Sequence, residues 1–231
     1  MIYQNIEKGI FLERPNRFIA KVNINGKEET VHVKNTGRCK ELLIKGCTVY
    51  LSVSDNPNRK TSYDLIAVEK YRENKSPLLV NIDSQIPNDV TEEFLKQGNI
   101  FSKKAVIKRE VKYGDSRFDF YIEDGKEKAF LEVKGVTLEQ DGVAMFPDAP
   151  TLRGIKHINE LVKAKKEGYG AYILFVIQMK EVSLFKPNVV THKDFADALK
   201  YAKENGVKIM AMDCAITENS IKIDSSVRVL I

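Results

Sequence analysis

REVKYGDSRFDFYIEDGKEKAFLEVKG, residues 109–135, decides the fold. Two tight turns, Gly114-Asp115 and Asp124-Gly125, cut it into short runs of β-type residues. The segments 104–113, 117–123 and 128–134 therefore read as three strands of an antiparallel meander. Downstream, 135–150 reads as a glycine-punctuated loop. Ile155, Ile158, Leu161, Val162 and Ala164 then keep helical spacing, so 152–167 is a helix ended by Gly168. The continuous apolar run GAYILFVI (170–177) is expected of a strand buried on both faces. A second amphipathic helix at 193–205 feeds a strand at 207–212, and 221–224 adds one more. Upstream, 91–97 reads as a short helix capped by Thr91 and stopped by Gly98. The order αβββαβ predicts a mixed sheet with a crossover helix leading into a parallel strand.

Before residue 84 the pattern is strands and turns only. RFIAKVN (17–23) alternates, Asn25-Gly26 supplies a hairpin turn, and ETVHV (29–33) alternates back. Further strands are expected at 47–54, 63–71 and 78–82. Five short strands in about 70 residues suggest a small closed barrel, and the oligonucleotide-binding type is an economical solution. With the boundary at 84–88, the chain is a two-domain α+β / α/β protein. Residues 1–85 form the barrel and 86–231 the mixed sheet with flanking helices.

The 231 residues are 43% hydrophobic and 30% charged, too apolar for a disordered chain. The longest apolar runs end after about seven residues, well short of a membrane helix. Glu7 and Glu13 fall where a signal peptide needs an apolar stretch, which argues for a cytoplasmic protein with no membrane partner. Three cysteines without a CxxC pair argue against a disulfide framework or a cysteine zinc site. With only His32, His157 and His192, a metal must sit mainly on carboxylates, which favours magnesium, manganese or calcium. The net charge is +5, and residues 1–85 hold 14 Lys+Arg against 10 Asp+Glu. That excess suits a polyanion such as DNA or RNA, and equally suits a protein that is merely slightly basic.

The chemistry concentrates on the meander. Asp119 sits mid-strand among Phe118, Phe120 and Tyr121, an unfavourable place for a carboxylate without a partner or a metal. On the next strand, Glu132 and Lys134 share one face. Asp119 and Glu132 on adjacent strands would form a pocket for a hard cation, with Lys134 beside a phosphate oxygen and Glu110 on the preceding strand as a further acid. The tripeptide Glu-x-Lys carries little information alone, since it occurs three times in this chain and chance predicts about two. The same residues also suit a cross-strand ion-pair ladder on a solvated face.

After the meander, FPDAPTLRGIKHINEL (146–161) places Arg153, Lys156 and His157 in the first turns of a helix, against the macrodipole. This suits a phosphate cradle, with Asp148 as a cap or a further metal contact. In the N-terminal domain the phosphate candidates are Arg14, Arg17, Arg38, Lys40, Arg59 and Lys60, the last two in the loop 56–60. The turn 35–38 has free amides, and Phe18, Tyr50 and Tyr63 are candidate stacking platforms. Arg117, beside Asp119, completes the nucleic-acid set.

ERPNRF (13–18), HVKNTGR (32–38), REVKYGDSRFDF (109–120), FLEVKGVTL (130–138) and FPDAPTLRGIKHINEL (146–161) resemble the sugar fermentation stimulation protein family along essentially the whole chain. The resemblance implies an oligonucleotide-binding barrel followed by a restriction-endonuclease-like domain of the PD-(D/E)xK type. It assigns Asp119 as first acid, Glu132 as second, Lys134 as the lysine and Glu110 as an accessory acid. Phe118 stands where the motif has proline. The implied activity is divalent-metal-dependent phosphodiester cleavage with Mg²⁺ or Mn²⁺. The alternative is nonspecific DNA binding without cleavage, linked through the family name to maltose metabolism.

Overall fold

The structure is a computed structural model that describes residues 1–35, 37–56 and 58–231, leaving Thr36 in the turn 35–38 and Pro57 in the loop 56–60 outside the described residues. The chain forms two compact units. The first is Met1–Ile86 with Gln178–Lys180 and Cys214–Lys222; the second is Pro87–Ile177, Glu181–Asp213 and Ile223–Ile231.

The first unit contains β1 (Ile6–Asn16), β2 (Ile19–Ile24), β3 (Lys27–Val33), β4 (Thr48–Val53), β5 (Tyr63–Lys70) and β6 (Leu78–Asn81). The order β3-β2-β1-β4-β5 is closed by a β3–β5 pairing, giving a five-strand barrel of the oligonucleotide-binding type. Inside it lie Phe11, Val22, Val31, Val49, Leu51 and Leu65, all at most 3% exposed. The expected hairpin is present. Asn25 and Gly26, at φ 52° and 87°, join the pair Ile24↔Lys27, a two-residue turn whose twist matches the strands. Among the described residues, closure rests on two pairs, His32↔Asp64 and Val33↔Leu65. Asp64 takes His32 Nδ1 at 2.8 Å and both terminal nitrogens of Arg59 at 2.8 and 2.6 Å.

The strand set expected from sequence contains the wrong fifth member. β1 is absent from it, while β6 pairs with β5 outside the closed ring. β1 hides because its register shifts between Phe11 and Glu13 and again before Asn16, which breaks the alternation of buried residues. It also contains Gly9, where a Cβ would stand 2.4 Å from Val22 Cγ1, so the two backbones approach too closely for a side chain.

The chain passes into the second unit through α1 (Ile86–Lys96), then β7 (Val106–Tyr113), β8 (Ser116–Asp124) and β9 (Glu127–Val136). β10 (Leu138–Gln140), β11 (Val143–Phe146), α2 (Leu152–Lys166), β12 (Gly170–Ile177), β13 (Leu184–Pro187) and α3 (Lys193–Glu204) follow. The chain ends in β14 (Lys208–Thr217), β15 (Ser220–Ser226) and β16 (Arg228–Val229). The main sheet has the order β15-β14-β12-β9-β8-β7. Its β7–β8 and β8–β9 pairs are antiparallel as expected, and β12 runs parallel to both β9 and β14. Seven of the eight residues of β12 are buried, as its apolar run implies.

Two elements differ from expectation. α1 starts five residues earlier than expected, because Pro87 falls in the first turn, where a missing N–H is harmless. Thr91 is therefore no cap; it is buried in the helix and its hydroxyl donates to the Pro87 carbonyl at 2.7 Å. The loop expected at 135–150 carries β10 and β11, which join β13 and β16 in a separate four-stranded sheet.

Candidate active site

The β8–β9 ladder is regular from Asp124↔Glu127 to Phe120↔Leu131 and stops there. One residue further, Asp119 takes over the pairing with its side chain: the Val133 amide donates to Oδ2 at 2.7 Å. Asn88 Nδ2, from the first turn of α1, donates to Oδ1 at 2.9 Å. Both oxygens of Asp119 are thereby oriented by neutral donors, one from β9 and one from α1.

Glu132 is 3% exposed, so the solvated ion-pair ladder is not what forms here. Its Oε1 accepts from Lys134 Nζ at 2.5 Å and from His157 Nδ1 of α2. Oε2 is buried and has no hydrogen-bond partner. Burial alone would push the Glu132 carboxyl up; the His157 hydrogen bond and the Lys134 charge outweigh it, and the group stays below the usual carboxylate range. Asp119 goes the other way. Burial first, and then the Glu132 charge, push it up to about 6 against the lowering effects of the Val133 amide, the Lys134 charge and Asn88. Two carboxylates, one lysine and an orphaned oxygen thus meet where two strands part.

Glu110 lies in β7 between the pairs Arg109↔Phe120 and Val111↔Phe118, at the level of Asp119. Its φ of 56° places a non-glycine residue in the left-handed region inside a strand, a strained conformation that sets its side chain in solvent 3.9 Å from Arg117. Asp148 is also exposed. Among the described residues no group of three or more His, Cys, Asp or Glu is gathered to hold a metal. Of the four expected carboxylates, Asp119 and Glu132 lie on adjacent strands and interact, whereas Glu110 and Asp148 are exposed.

The basic candidates divide sharply. Arg17, Arg38, Lys40, Lys60, Arg117, Arg153 and Lys156 are exposed, although Lys156 Nζ donates to the Asp115 carbonyl at 2.7 Å. Arg14 is not a free phosphate contact. Its guanidinium donates to four carbonyls, those of Arg17, Asn35, Gly37 and Arg38, at 2.6–2.8 Å, because it supports the turn from inside. Arg59 is likewise held by Asp64. Of the stacking candidates, Phe18 is 50% exposed and Tyr63 half-buried, whereas Tyr50 is buried and donates to Glu69 at 2.6 Å.

His157 needs the same correction, since it is 6% exposed and faces Glu132 rather than solvent. The sequence signal was available. Residues 154, 157, 158 and 161 form the i, i+3, i+4, i+7 stripe that α2 buries. Asn88 had no such signal, because its partner is 31 residues away.

Comparison with known proteins places the chain in a family. Residues 12–79 match the model of the SfsA N-terminal OB domain, and residues 85–220 match that of the sugar fermentation stimulation protein RE domain. A sugar fermentation stimulation protein homolog of Clostridium beijerinckii is 56% identical over 231 residues, covering all of both chains. One of Ruminiclostridium cellulolyticum is 55% identical over 229 residues, 99% of each. Among solved structures, that of Pyrococcus furiosus SfsA in complex with Ca²⁺ superposes with a TM-score of 0.84 at 32% identity, covering 100% of this chain and 98% of the other.

Proposed function

This chain belongs to the sugar fermentation stimulation protein family, and from that premise we propose that it is a nucleic-acid-binding phosphodiesterase working with a divalent cation, Mg²⁺ or Mn²⁺, at Asp119 and Glu132. The observation that carries the reading is Glu132 Oε2, a buried carboxylate oxygen with no partner, next to an Asp119 pushed up by burial and then by the Glu132 charge. A hard cation relieves both, and small divalent ions commonly bind through one or two carboxylates, with water and substrate phosphate completing the shell. The structure of the Pyrococcus furiosus relative in complex with Ca²⁺ supports an oxygen-loving ion in this family. No described helix is long and apolar enough to cross a membrane.

When bound, the cation polarises the scissile phosphate and makes a water nucleophilic near neutral pH. The chain's own residues do the rest. Asn88 and the Val133 amide hold both oxygens of Asp119 in place. Lys134, with its side chain 15% exposed, offers a positive charge where the phosphate gains negative charge as water displaces an ester oxygen. Arg17, Arg38, Lys40, Lys60 and Phe18 of the first unit and Arg117, Arg153 and Lys156 of the second supply contacts for DNA or RNA.

The test is incubation with single-stranded, duplex and branched DNA and with RNA, in Mg²⁺, Mn²⁺ or chelator. Cleavage that needs metal and is lost in Glu132→Ala and Lys134→Ala is the expected result. Binding without cleavage in every lane would favour the second reading, a nonspecific DNA-binding regulator of sugar genes. That reading draws on the exposed basic side chains of the barrel unit.

A further inference from the structure

Resting on that reading, we infer that His157 is the positioning residue that decides which oxygen of Glu132 is offered to the cation. The carboxylate is asymmetric: Lys134 Nζ and His157 Nδ1 both converge on Oε1, while Oε2 is buried and unpartnered. An oxygen that already accepts two donors has its lone pairs engaged, so only Oε2 remains free to ligate. Lys134 is the group expected to move towards phosphate; His157 is not. Its ring is 6% exposed and meets Phe118 edge-on at 6.3 Å.

The rest of α2 fixes the ring. Thr151 caps the helix by accepting from the Gly154 amide at 3.0 Å. Gly154 sits so tightly that a Cβ there would lie 2.9 Å from Thr151 Cγ2 and 3.1 Å from Phe195, which sets the rotation of the first turn. One turn on from Arg153, His157 receives the Arg153 Nε–H on Nε2 at 3.4 Å. On the other side of the ring Nδ1 faces the carboxylate and donates to Oε1. Arg153, His157 and Glu132 thus form a chain from an exposed guanidinium to a buried carboxylate. Outer partners of this kind typically change metal affinity 10–100-fold when removed.

Three variants and one spectrum test the inference. Long-range ¹H–¹⁵N spectra of the cation-free protein should show the Nδ1–H tautomer; the Nε2–H form would overturn the inference whether or not any metal binds. In calorimetric titrations with Mn²⁺ and Ca²⁺, His157→Ala should bind about 10–100-fold more weakly than wild type. His157→Asn, whose amide nitrogen can stand where Nδ1 stood, should recover most of that loss. His157→Gln fills the volume with its amide displaced and should not, so it replaces the alanine variant should that one fail to fold. Wild-type affinity in His157→Gln or His157→Ala overturns the positioning role and leaves the phosphodiesterase reading standing. A wild-type protein that binds neither cation overturns both.

Discussion

Asp119 and Arg14 show how a side chain's role follows from its partners rather than from its type. Burial, and then the Glu132 charge, push the Asp119 carboxyl up to about 6 in the folded chain, against an ordinary 3.8. The unfolded chain therefore ionises first, and this group's contribution to stability falls as pH rises from about 4 to about 6. In a ¹³C carboxyl titration, Glu132→Gln should bring the Asp119 midpoint down only part of the way, because burial is the larger cause. An unchanged midpoint would show that the two charges do not interact. Arg14→Ala should cost about 3 kcal/mol in chemical denaturation, since four carbonyls lose a charged donor. Arg14→Lys should not restore it, because one ammonium cannot reproduce the fork. Sequence named Asp119, Glu132 and Lys134 because strand spacing brings them together. It misplaced Arg14, Arg59 and His157 because an exposed and a sequestered cation read alike until the acceptors around them are known.

At the scale of elements, legibility tracked local regularity. The Asn25-Gly26 hairpin, the β7–β9 meander, α2 and β12 all carry their signal within a few residues. What escaped depended on distant partners. β1 is disguised by its register shifts, and β10, β11, β13 and β16 are two to four residues long, too short for any period to show. Gly9 is the element-scale test. Gly9→Ala forces a methyl to within 2.4 Å of Val22 Cγ1, and a loss of about 1–3 kcal/mol is expected in urea denaturation. Gly125→Ala, at a turn with open space around it but φ 61°, should lose less, through backbone strain alone.

For the whole molecule, charge and chemistry should separate. Net charge of +5 and the exposed cations of both units predict DNA affinity that falls steeply with salt and survives chelation. Cleavage should vanish with the metal. Replacing Arg38 and Lys40 together by alanine should reduce the log–log salt slope by about 2 and leave stability unchanged, measured by fluorescence anisotropy over a salt series. Sequence showed a change of grammar near residue 85, from strands and turns to mixed helix and strand, but gave no sign that Gln178–Lys180 and Cys214–Lys222 belong with the first unit. Composition carried no information on how the barrel shuts.

That shutting has a consequence of its own. A ring is as cooperative as its weakest seam, and here the seam is two residue pairs long and leans on one carboxylate shared by His32 and Arg59. Asp64 is held below the usual range by those partners, against its burial, so acidification removes the staple before the hydrophobic interior is touched. The barrel should then unzip into an open ribbon with two raw edges, each a template for a foreign strand. Hydrogen exchange should catch this as early loss of protection along the β3–β5 seam while the β1–β4 amides are still closed. The ring opens before it melts.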